Sequence, residues 1–218
     1  MALTLIYHTL EDTVQPAHTA LVVIDVQNDF RLPSYEAMIA RLRKLIAAAR
    51  QSGVFVVYIQ NSVVPGLSNS ASEIARRQKL GLTIDTTIIG SEGEKIVPEL
   101  SPQAGDPVIR KHRLNAFAGT DLQMLLQIRG IETLIITGVA THGCVTGTSY
   151  AAQGLNYYVV LAEDCVASWA ADLHEAALHV LRKTMNYATP SDMLTQIWLA
   201  GGAQGEHGQS GSSLSAVG

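Results

Sequence analysis

Residues 134–145 read LIITGVATHGCV, and the pattern of apolar and small residues changes once within this stretch. The first part is a continuous apolar run, which is typical of a strand that is buried on both faces of a parallel sheet. Gly138 then permits a tight turn, and the small residues that follow lead into a predicted helix. A buried strand followed by a turn and a helix is the repeating unit of an α/β protein, so this stretch predicts that fold class.

Further short apolar runs with the same character lie before and after this stretch. They occupy 21–26, 54–59, 108–109 and 157–161. Helical patterns lie between them, and the clearest one places these residues on one helix face: Tyr35, Met38, Ile39, Leu42, Leu45, Ile46 and Ala49. Because strands and helices alternate, we predict a three-layer αβα sandwich, in which a Rossmann-like, doubly wound and mostly parallel sheet has helices on both faces.

The composition is that of a globular protein. Of 218 residues, 47% are hydrophobic and 16% are charged, which excludes an intrinsically disordered chain. A formal net charge of −4 argues against a nucleic-acid partner. No stretch approaches the ~18 consecutive apolar residues of a membrane span, and the N-terminus lacks a basic start followed by a long apolar run. We therefore expect a cytoplasmic protein that binds neither nucleic acid nor membrane.

We predict a single domain over residues 1–200, followed over 201–218 by a flexible tail that is rich in Gly and Ser. Within the domain, the region 61–99 is irregular. It is expected to contain a short helix over 72–79 and otherwise long loops, which often carry substrate contacts. The basic residues of this helix are expected to form a solvated face: Arg76, Arg77 and Lys79.

Cys144 falls at the N-terminus of the helix that follows the strand over 133–139. Unpaired backbone N–H groups and the helix dipole favour negative charge at such a position. The pKa of the thiol is therefore expected to be lowered, and Cys144 becomes a candidate nucleophile. The alternative is a cysteine that packs as a small hydrophobe, which is our interpretation of Cys165. Two cysteines at this separation indicate neither a disulfide framework nor a zinc ribbon.

Two charged residues come at the ends of predicted strands. Asp25 follows four apolar residues, where it is either a functional carboxylate or a cap of the following loop. Lys111 comes just after the run at 108–109, where it is either functional or a surface residue. In a parallel sheet, Asp25, Lys111 and Cys144 all lie at the edge where α/β proteins bind ligands. Together they could perform nucleophilic catalysis with a base and a charge stabiliser.

Three segments resemble the isochorismatase-like cysteine hydrolases, a family that includes nicotinamidases, N-carbamoylsarcosine amidohydrolase, biuret, maleamate and ureidoacrylate hydrolases, and isochorismatases. The segments are DVQNDF at 25–30, RKHRLNAF at 110–117 and GVATHGCV at 138–145. The similarity extends over residues 19–199. It covers nearly the whole predicted domain, and it implies the same α/β fold.

The resemblance also implies roles for particular residues. The family's catalytic triad corresponds to Asp25, Lys111 and Cys144, and its cis peptide bond falls between Val139 and Ala140. Asp25 would take the thiol proton, Cys144 would attack the substrate carbonyl and form a thioester, and Lys111 would offset the carboxylate charge. The backbone N–H groups of Ala140 and Cys144 would hold the oxyanion.

The sequence departs from some relatives in ways that restrict the substrate. Nicotinamidases bind a metal through an Asp and histidines placed before the catalytic lysine, whereas no histidine lies between His18 and His112 here. We therefore expect no metal and no other cofactor, and nicotinamide is disfavoured. Isochorismatases that cleave a vinyl ether often lack the cysteine. The presence of Cys144 favours a small amide, ureide or carbamoyl compound as the substrate.

Four residues near these segments are candidates for substrate contact, and ordinary packing is the alternative for each: Phe30, Asn61, Phe117 and Trp169. His142 and His112 flank the triad positions, and a structural or solvent-facing imidazole is the favoured interpretation of both. We expect a small-molecule substrate as the partner and a homodimer or homotetramer as the assembly. Two other functions stay open: a vinyl-ether hydrolase of the isochorismatase type, and a catalytically silent member that binds a ligand.

Overall fold

The computed structural model describes residues 6–205, and within them the chain forms a six-stranded sheet. The strands are β1 (Thr19–Ile24), β2 (Phe55–Asn61), β3 (Val108–Lys111), β4 (Thr133–Val139), β5 (Tyr158–Ala167) and β6 (Tyr187–Thr189). Their order in the sheet is β3-β2-β1-β4-β5-β6, and every neighbouring pair is parallel. This is the strand order of a doubly wound Rossmann-like sheet, which confirms the predicted fold class.

Helices connect the strands and cover the sheet. Those of the described residues are α1 (Leu10–Thr13), α2 (Glu36–Gln51), α3 (Ala71–Lys79), α4 (Leu122–Ile128), α5 (Thr146–Gly154), α6 (Ala171–Thr184) and α7 (Ser191–Gly205). Short 3₁₀ turns lie at Pro16–His18, Asn28–Phe30, Pro33–Tyr35 and Pro98–Leu100, and a π-helical turn at Thr141–Val145. Each long crossover contains a helix or an extended loop, as parallel pairing requires.

The two faces of the sheet pack against separate apolar clusters. On one face, α2 and α7 bury residues such as Leu42, Leu45 and Trp198 against the sheet. On the other face, α4, α5 and α6 bury residues such as Leu126 and Leu181. Two helical layers around one sheet make the three-layer sandwich that the sequence predicts.

The chain reverses its direction of travel across the sheet next to β1. From β1 it winds outward through β2 to β3, and then crosses back so that β4 lies on the other side of β1. Ile24 at the end of β1 is paired with Gly138 of β4. A crevice opens at such a switch point, outside the carboxyl ends of the strands, and ligands of doubly wound sheets bind there.

Gly138 allows the close approach of β4 to β1 at this edge. Its φ angle is +104°, and a Cβ atom added there would lie 2.0 Å from the carbonyl oxygen of Ile24. No Cβ atom fits in that space, and this φ value is also unfavourable for residues other than glycine. The peptide bond between Val139 and Ala140, which follows directly, is cis.

Some boundaries differ from the predicted ones. The first strand ends at Ile24, so Asp25 lies just beyond it and not inside it. Helix α7 continues through 201–205, which were predicted to begin the tail. The remainder of that predicted tail, 206–218, lies outside the described residues. None of the helices within the described part of the chain has the length and apolar character needed to cross a membrane.

Candidate active site

Asp25 and Lys111 reach the switch point from different strands. Asp25 follows β1 with a φ angle of +54°, and its backbone N–H donates to the carbonyl oxygen of Ile59 in β2. Lys111 is the last residue of β3, which β2 separates from β1. Its Nζ atom lies 2.7 Å from Oδ2 of Asp25, and both side chains are almost completely buried. The sequence predicts both residues at this edge, and the structure pairs them.

Charge compensation explains how this pair can be buried. Two isolated charges in the interior would be strongly destabilising, but an ion pair with close contact offsets much of that loss. Burial acts to lower the pKa of the Lys111 ammonium group, whereas the charge of Asp25 and the hydrogen bonds to Asp25 and Cys144 act to raise it. The attraction wins, and the pKa of Lys111 is raised above its ordinary value. Lys111 is therefore a stable cation at neutral pH.

Cys144 completes the cluster from the π-helical turn before α5. Its Sγ atom accepts a hydrogen bond from Lys111 Nζ at 3.2 Å, and the residue is partly buried. Burial raises the pKa of the Cys144 thiol to about 12, and the nearby Asp25 carboxylate adds to this effect, while Lys111 opposes it. The thiol is thus protonated at neutral pH.

The expectation that the helix N-terminus lowers the pKa of Cys144 is wrong. In the π-helical turn, the N–H groups of Gly143 and Val145 both donate to the carbonyl oxygen of Ala140, at 2.9 and 3.3 Å. These N–H groups are therefore occupied and do not offer the thiolate unpaired donors, which is the basis of the helix-terminus effect. Burial and the Asp25 carboxylate then decide the protonation state.

Of the four residues considered for substrate contact, two have clear packing roles. Phe30 is partly buried against the α2 side of the core. Phe117 packs against the opposite cluster and stacks on Tyr157, with ring centroids 6.0 Å apart. These contacts agree with the packing alternative for both residues.

Asn61 and Trp169 contact segments that carry triad residues, since Asn61 pairs with Lys111 in the sheet and Trp169 contacts His142. Asn61 is the last residue of β2 and donates from Nδ2 to Oγ1 of Thr87 at 2.8 Å, so it positions a loop. Trp169 is 50% exposed and lies edge-on to the ring of His142, with 4.6 Å between centroids. Because His142 belongs to the same turn as Cys144, Trp169 packs against the turn that carries the candidate nucleophile.

The histidines near the triad have structural partners. Nδ1 of His142 contacts Oγ of Ser168 at 2.7 Å, and burial lowers the pKa of His142. Nδ1 of His112 contacts the carbonyl oxygen of Ser62 at 2.6 Å. Both contacts agree with the structural interpretation of these imidazoles. Within residues 6–205, no group of three or more His, Cys, Asp or Glu side chains is arranged to hold a metal ion.

A buried polar network, which sequence reasoning missed, connects the loops of this edge. Gln27 is fully buried and donates from Nε2 to the carbonyl oxygens of Asn61 and Glu94, at 2.9 and 2.6 Å. The Glu94 carboxylate accepts hydrogen bonds from Oγ of Ser62 and from Nε of Arg110. Burial acts to raise the pKa of Glu94, but these donors lower it overall. Gln27 belongs to the DVQNDF segment, whereas nothing in the local sequence marks Glu94.

Arg76 lies on α3, where the sequence predicts a solvated basic face. Its side chain is 39% exposed and pairs with the Glu73 carboxylate at 2.7 Å. Hydrogen bonds to Glu73 raise the pKa of Arg76.

The carboxylate of Asp25, the ammonium group of Lys111 and the thiol of Cys144 thus lie together at the switch point of a doubly wound sheet, where α/β proteins bind their ligands. The sequence model of the isochorismatase domain matches residues 19–193. This chain therefore belongs to the isochorismatase-like family, which confirms the resemblance of its three segments.

Similar proteins include enzymes named for C–N bond hydrolysis. The chain is 30% identical over 210 residues to a ureidoacrylate amidohydrolase, RutB, of Rhizobium rhizogenes, covering 85% of each chain. An isochorismatase family protein of Desulfovibrio vulgaris has a similar structure, with a TM-score of 0.73, 30% identity, and coverage of 84% of this chain and 99% of that one. The N-carbamoylsarcosine amidase of Thermoplasma acidophilum has a TM-score of 0.67 and 27% identity, covering 80% and 96%.

Proposed function

We propose that this protein is a metal-independent cysteine hydrolase that cleaves a C–N bond of a small amide, ureide or carbamoyl compound through a thioester. The observation that carries the proposal is the position of Lys111 Nζ, 2.7 Å from Oδ2 of Asp25 and 3.2 Å from Sγ of Cys144. The names of two similar proteins, a ureidoacrylate amidohydrolase and an N-carbamoylsarcosine amidase, support this substrate class. The lack of any histidine between His18 and His112 supports chemistry without a metal.

In the proposed first half-reaction, Asp25 is the base and Cys144 is the nucleophile. Because the pKa of the Cys144 thiol is about 12, little thiolate is present at neutral pH. Proton transfer from the thiol to Asp25 therefore accompanies the attack of sulfur on the carbonyl carbon. The sulfur–carbon bond forms while Lys111 stabilises the charge that develops on sulfur. The backbone N–H groups of Ala140 and Cys144 are the proposed donors to the oxyanion, a type of contact whose loss lowers kcat by ~10²–10³.

The second half of the reaction restores the enzyme. The C–N bond breaks as Asp25 gives its proton to the leaving nitrogen, which departs as ammonia or an amine. Water then attacks the thioester carbon and transfers a proton to Asp25. The carbon–sulfur bond breaks, the acid product leaves, and the proton passes from Asp25 to the Cys144 thiolate. Each group thus ends in its starting protonation state.

A panel of small amides, ureides and carbamoyl compounds, with ammonia release as the readout, tests this function. The native enzyme should release ammonia from at least one class, and Cys144→Ala and Asp25→Asn should each abolish the release. Cys165→Ala is the matched control. Cys165 is a buried thiol in the apolar cluster on the α2 and α7 face of the sheet, so its replacement should leave ammonia release unchanged.

Other outcomes of the same panel would contradict the proposal. Pyruvate release from isochorismate that persists in Cys144→Ala would indicate vinyl-ether hydrolysis, with Asp25 as the acid. A native enzyme that turns over no compound of either class, but binds some of them, would indicate a catalytically silent member of the family.

A further inference from the structure

The parallel ladder of hydrogen bonds between β1 and β2 stops at Asp25. Its N–H group donates to the carbonyl oxygen of Ile59 at 2.9 Å, and in a continued ladder its carbonyl oxygen would accept from the N–H group of Asn61. Instead, the carbonyl oxygen of Asp25 accepts from the N–H group of Gln27 at 2.9 Å, and the φ angle of Asp25 is +54°. The backbone therefore leaves the path of the strand at the residue that carries the candidate base.

The side chain of Gln27 takes the place in the ladder that the carbonyl group of Asp25 leaves open. Its Oε1 atom accepts from the N–H group of Asn61 at 2.9 Å, and its Nε2 atom donates to the carbonyl oxygen of Asn61 at 2.9 Å. Nε2 also donates to the carbonyl oxygen of Glu94 at 2.6 Å, and Gln27 is completely buried. One side-chain amide thus replaces the backbone of β1 as the hydrogen-bonding partner of Asn61.

The same hydrogen bonds connect the candidate base to the triad lysine. Asn61 is paired in register with Lys111, and the N–H group of the next residue, Ser62, donates to the carbonyl oxygen of Lys111 at 2.9 Å. Gln27 is therefore bonded to the strand next to Lys111, and it lies two residues after Asp25. A left-handed φ angle is unfavourable for an aspartate and persists only where surrounding contacts hold it. The amide of Gln27 supplies such contacts directly after Asp25.

We propose that Gln27 is a positioning residue, which holds the Asp25 carboxylate against Lys111 and beside Cys144 in the orientation that proton transfer requires. The inference rests on the proposed function, in which Asp25 is the base. The three hydrogen bonds of the Gln27 side chain all go to backbone groups, so Gln27 acts through Asp25 and not on the substrate. A displacement of about 1 Å in a reacting group can lower a rate by ~10²-fold, so this support affects the chemical step.

Gln27→Met tests this role, because methionine has a similar volume and cannot form the three hydrogen bonds. With the best substrate of the amide and ureide panel, kcat should fall by ~10- to 100-fold while KM stays within about twofold, since the change displaces the base and not the substrate. Thr133→Val is the matched control, because it removes a buried hydrogen bond to the carbonyl oxygen of Thr13, 2.6 Å long, at the opposite end of the sheet. Its kcat should stay within about twofold of the native value. Equal losses of kcat in the two variants would overturn the proposal.

Gln27→Glu is a conservative replacement whose hydrogen bonding depends on pH. The protonated carboxyl group offers one donor and one acceptor, whereas the carboxylate offers no donor to the carbonyl oxygens of Asn61 and Glu94. Burial raises the pKa of a carboxyl group, so kcat relative to the native enzyme should rise at least ~5-fold as the pH falls from 9 to 5. A relative kcat that is the same at both pH values would overturn the proposal, and this comparison does not require Gln27→Met to fold.

Alkylation of Cys144 distinguishes a role through Asp25 from a merely structural one, and it needs no substrate. Burial and the Asp25 carboxylate raise the pKa of the Cys144 thiol. Displacement of the carboxylate in Gln27→Met should therefore speed the reaction with iodoacetamide at pH 7.5 at least ~3-fold. In the Asp25→Asn variant, the addition of Gln27→Met should change the rate by less than about twofold. The same acceleration with and without Asp25, or none in either case, would overturn the proposal.

Failure of this inference and failure of the proposed function give different results. No ammonia from any amide or ureide in the native enzyme contradicts the proposed function, and the alkylation rates still decide whether Gln27 holds Asp25 beside Cys144. Ammonia release by the native enzyme, together with a native kcat and a native alkylation rate in Gln27→Met, contradicts the inference alone.

Discussion

The ammonium nitrogen of Lys111 lies 2.7 Å from a carboxylate oxygen of Asp25, and the two side chains are 0% and 1% exposed. Lys111 is the last residue of β3 and Asp25 directly follows β1, and these two strands are not neighbours in the sheet. A buried pair that spans an intervening strand joins two segments of the carboxyl edge, and it also holds the proposed base next to Cys144. We therefore expect stability and the proposed catalysis to depend on the same contact.

Lys111→Met should destabilise the protein and inactivate it, because the Asp25 carboxylate stays buried without its partner. The free energy of unfolding should fall by ~3–5 kcal/mol in urea denaturation followed by circular dichroism. The double variant Asp25→Asn, Lys111→Met should recover most of that stability but no ammonia release. Lys95→Met is the control, since Lys95 is exposed and should change stability by no more than ~0.5 kcal/mol. A single Lys111→Met variant as stable as the native protein would contradict the buried ion pair.

Alkylation of Cys144 should be slow at neutral pH. The pKa of its thiol is about 12, against ~8.5 for a free cysteine, so little thiolate is present at neutral pH. Intact-mass analysis after iodoacetamide treatment should show labelling slower than that of free cysteine at pH 7.5 and a rise toward pH 12. Cys144→Ala identifies the labelled residue. Labelling faster than free cysteine at pH 7.5 would show that the site lowers the pKa of the thiol.

The same titration affects stability at alkaline pH. The unfolded chain loses the Cys144 proton near pH ~8.5, whereas the folded protein keeps it until about pH 12. Between these values the folded state binds more protons, so the contribution of Cys144 to stability is present below pH ~8.5 and is lost as pH rises. Cys144→Ala should therefore show a shallower loss of stability between pH 9 and 12. Parallel curves for the variant and the native protein would argue against the raised pKa.

Gly138→Ala should disrupt the switch point. The added Cβ would lie 2.0 Å from the carbonyl oxygen of Ile24, at a φ angle of +104°. The free energy of unfolding should fall by at least ~2 kcal/mol, and activity should be lost with the displaced turn. Gly154→Ala is the matched control, because nothing lies within 4 Å of its added Cβ and its φ is not positive. Thermal unfolding of both variants checks this, and a harmless Gly138→Ala would contradict the close approach of β4 to β1.

Glu94→Gln should loosen the loops of the carboxyl edge. The buried carboxylate accepts from Ser62, from Arg110 and from the N–H group of Gly90 at 2.7 Å, so its loss should lower stability by ~1–3 kcal/mol. Because the folded pKa of Glu94 is lowered, its contribution is present above the unfolded pKa and is lost as pH falls. Acid unfolding of Glu94→Gln should therefore be less steep. Glu92→Gln, at an 83% exposed side chain, is the control, and equal acid sensitivity of the two variants would contradict this role.

The fold class could be predicted from the sequence because the burial of each strand is apparent from the strand's own residues. Continuous apolar runs such as 133–139 leave no polar face, and they identify a parallel sheet without knowledge of distant contacts. The same logic places Asp25, Lys111 and Cys144 at one edge, since each follows or ends such a run. Topology then brings them together, and their residue types indicate the chemistry.

The features that the sequence did not reveal depend on distant neighbours. The pKa of Cys144 depends on burial and on Asp25, and local helix position predicted the opposite shift. Glu94 belongs to the irregular region 61–99, where no periodicity indicates which side chains are buried. Loop geometry there is set by hydrogen bonds such as those of Gln27, which join segments far apart in the sequence.

Cys144 should become covalently acylated during turnover. Acid quenching of the native enzyme mixed with a hydrolysed amide, followed by mass spectrometry of its peptides, tests this most directly. We predict the mass of the acyl group on the Cys144 peptide, none on the Cys165 peptide, and ammonia release lowered by at least ~10³-fold in Cys144→Ala. An unmodified Cys144 at every quench time, together with undiminished ammonia release from Cys144→Ala, would contradict it.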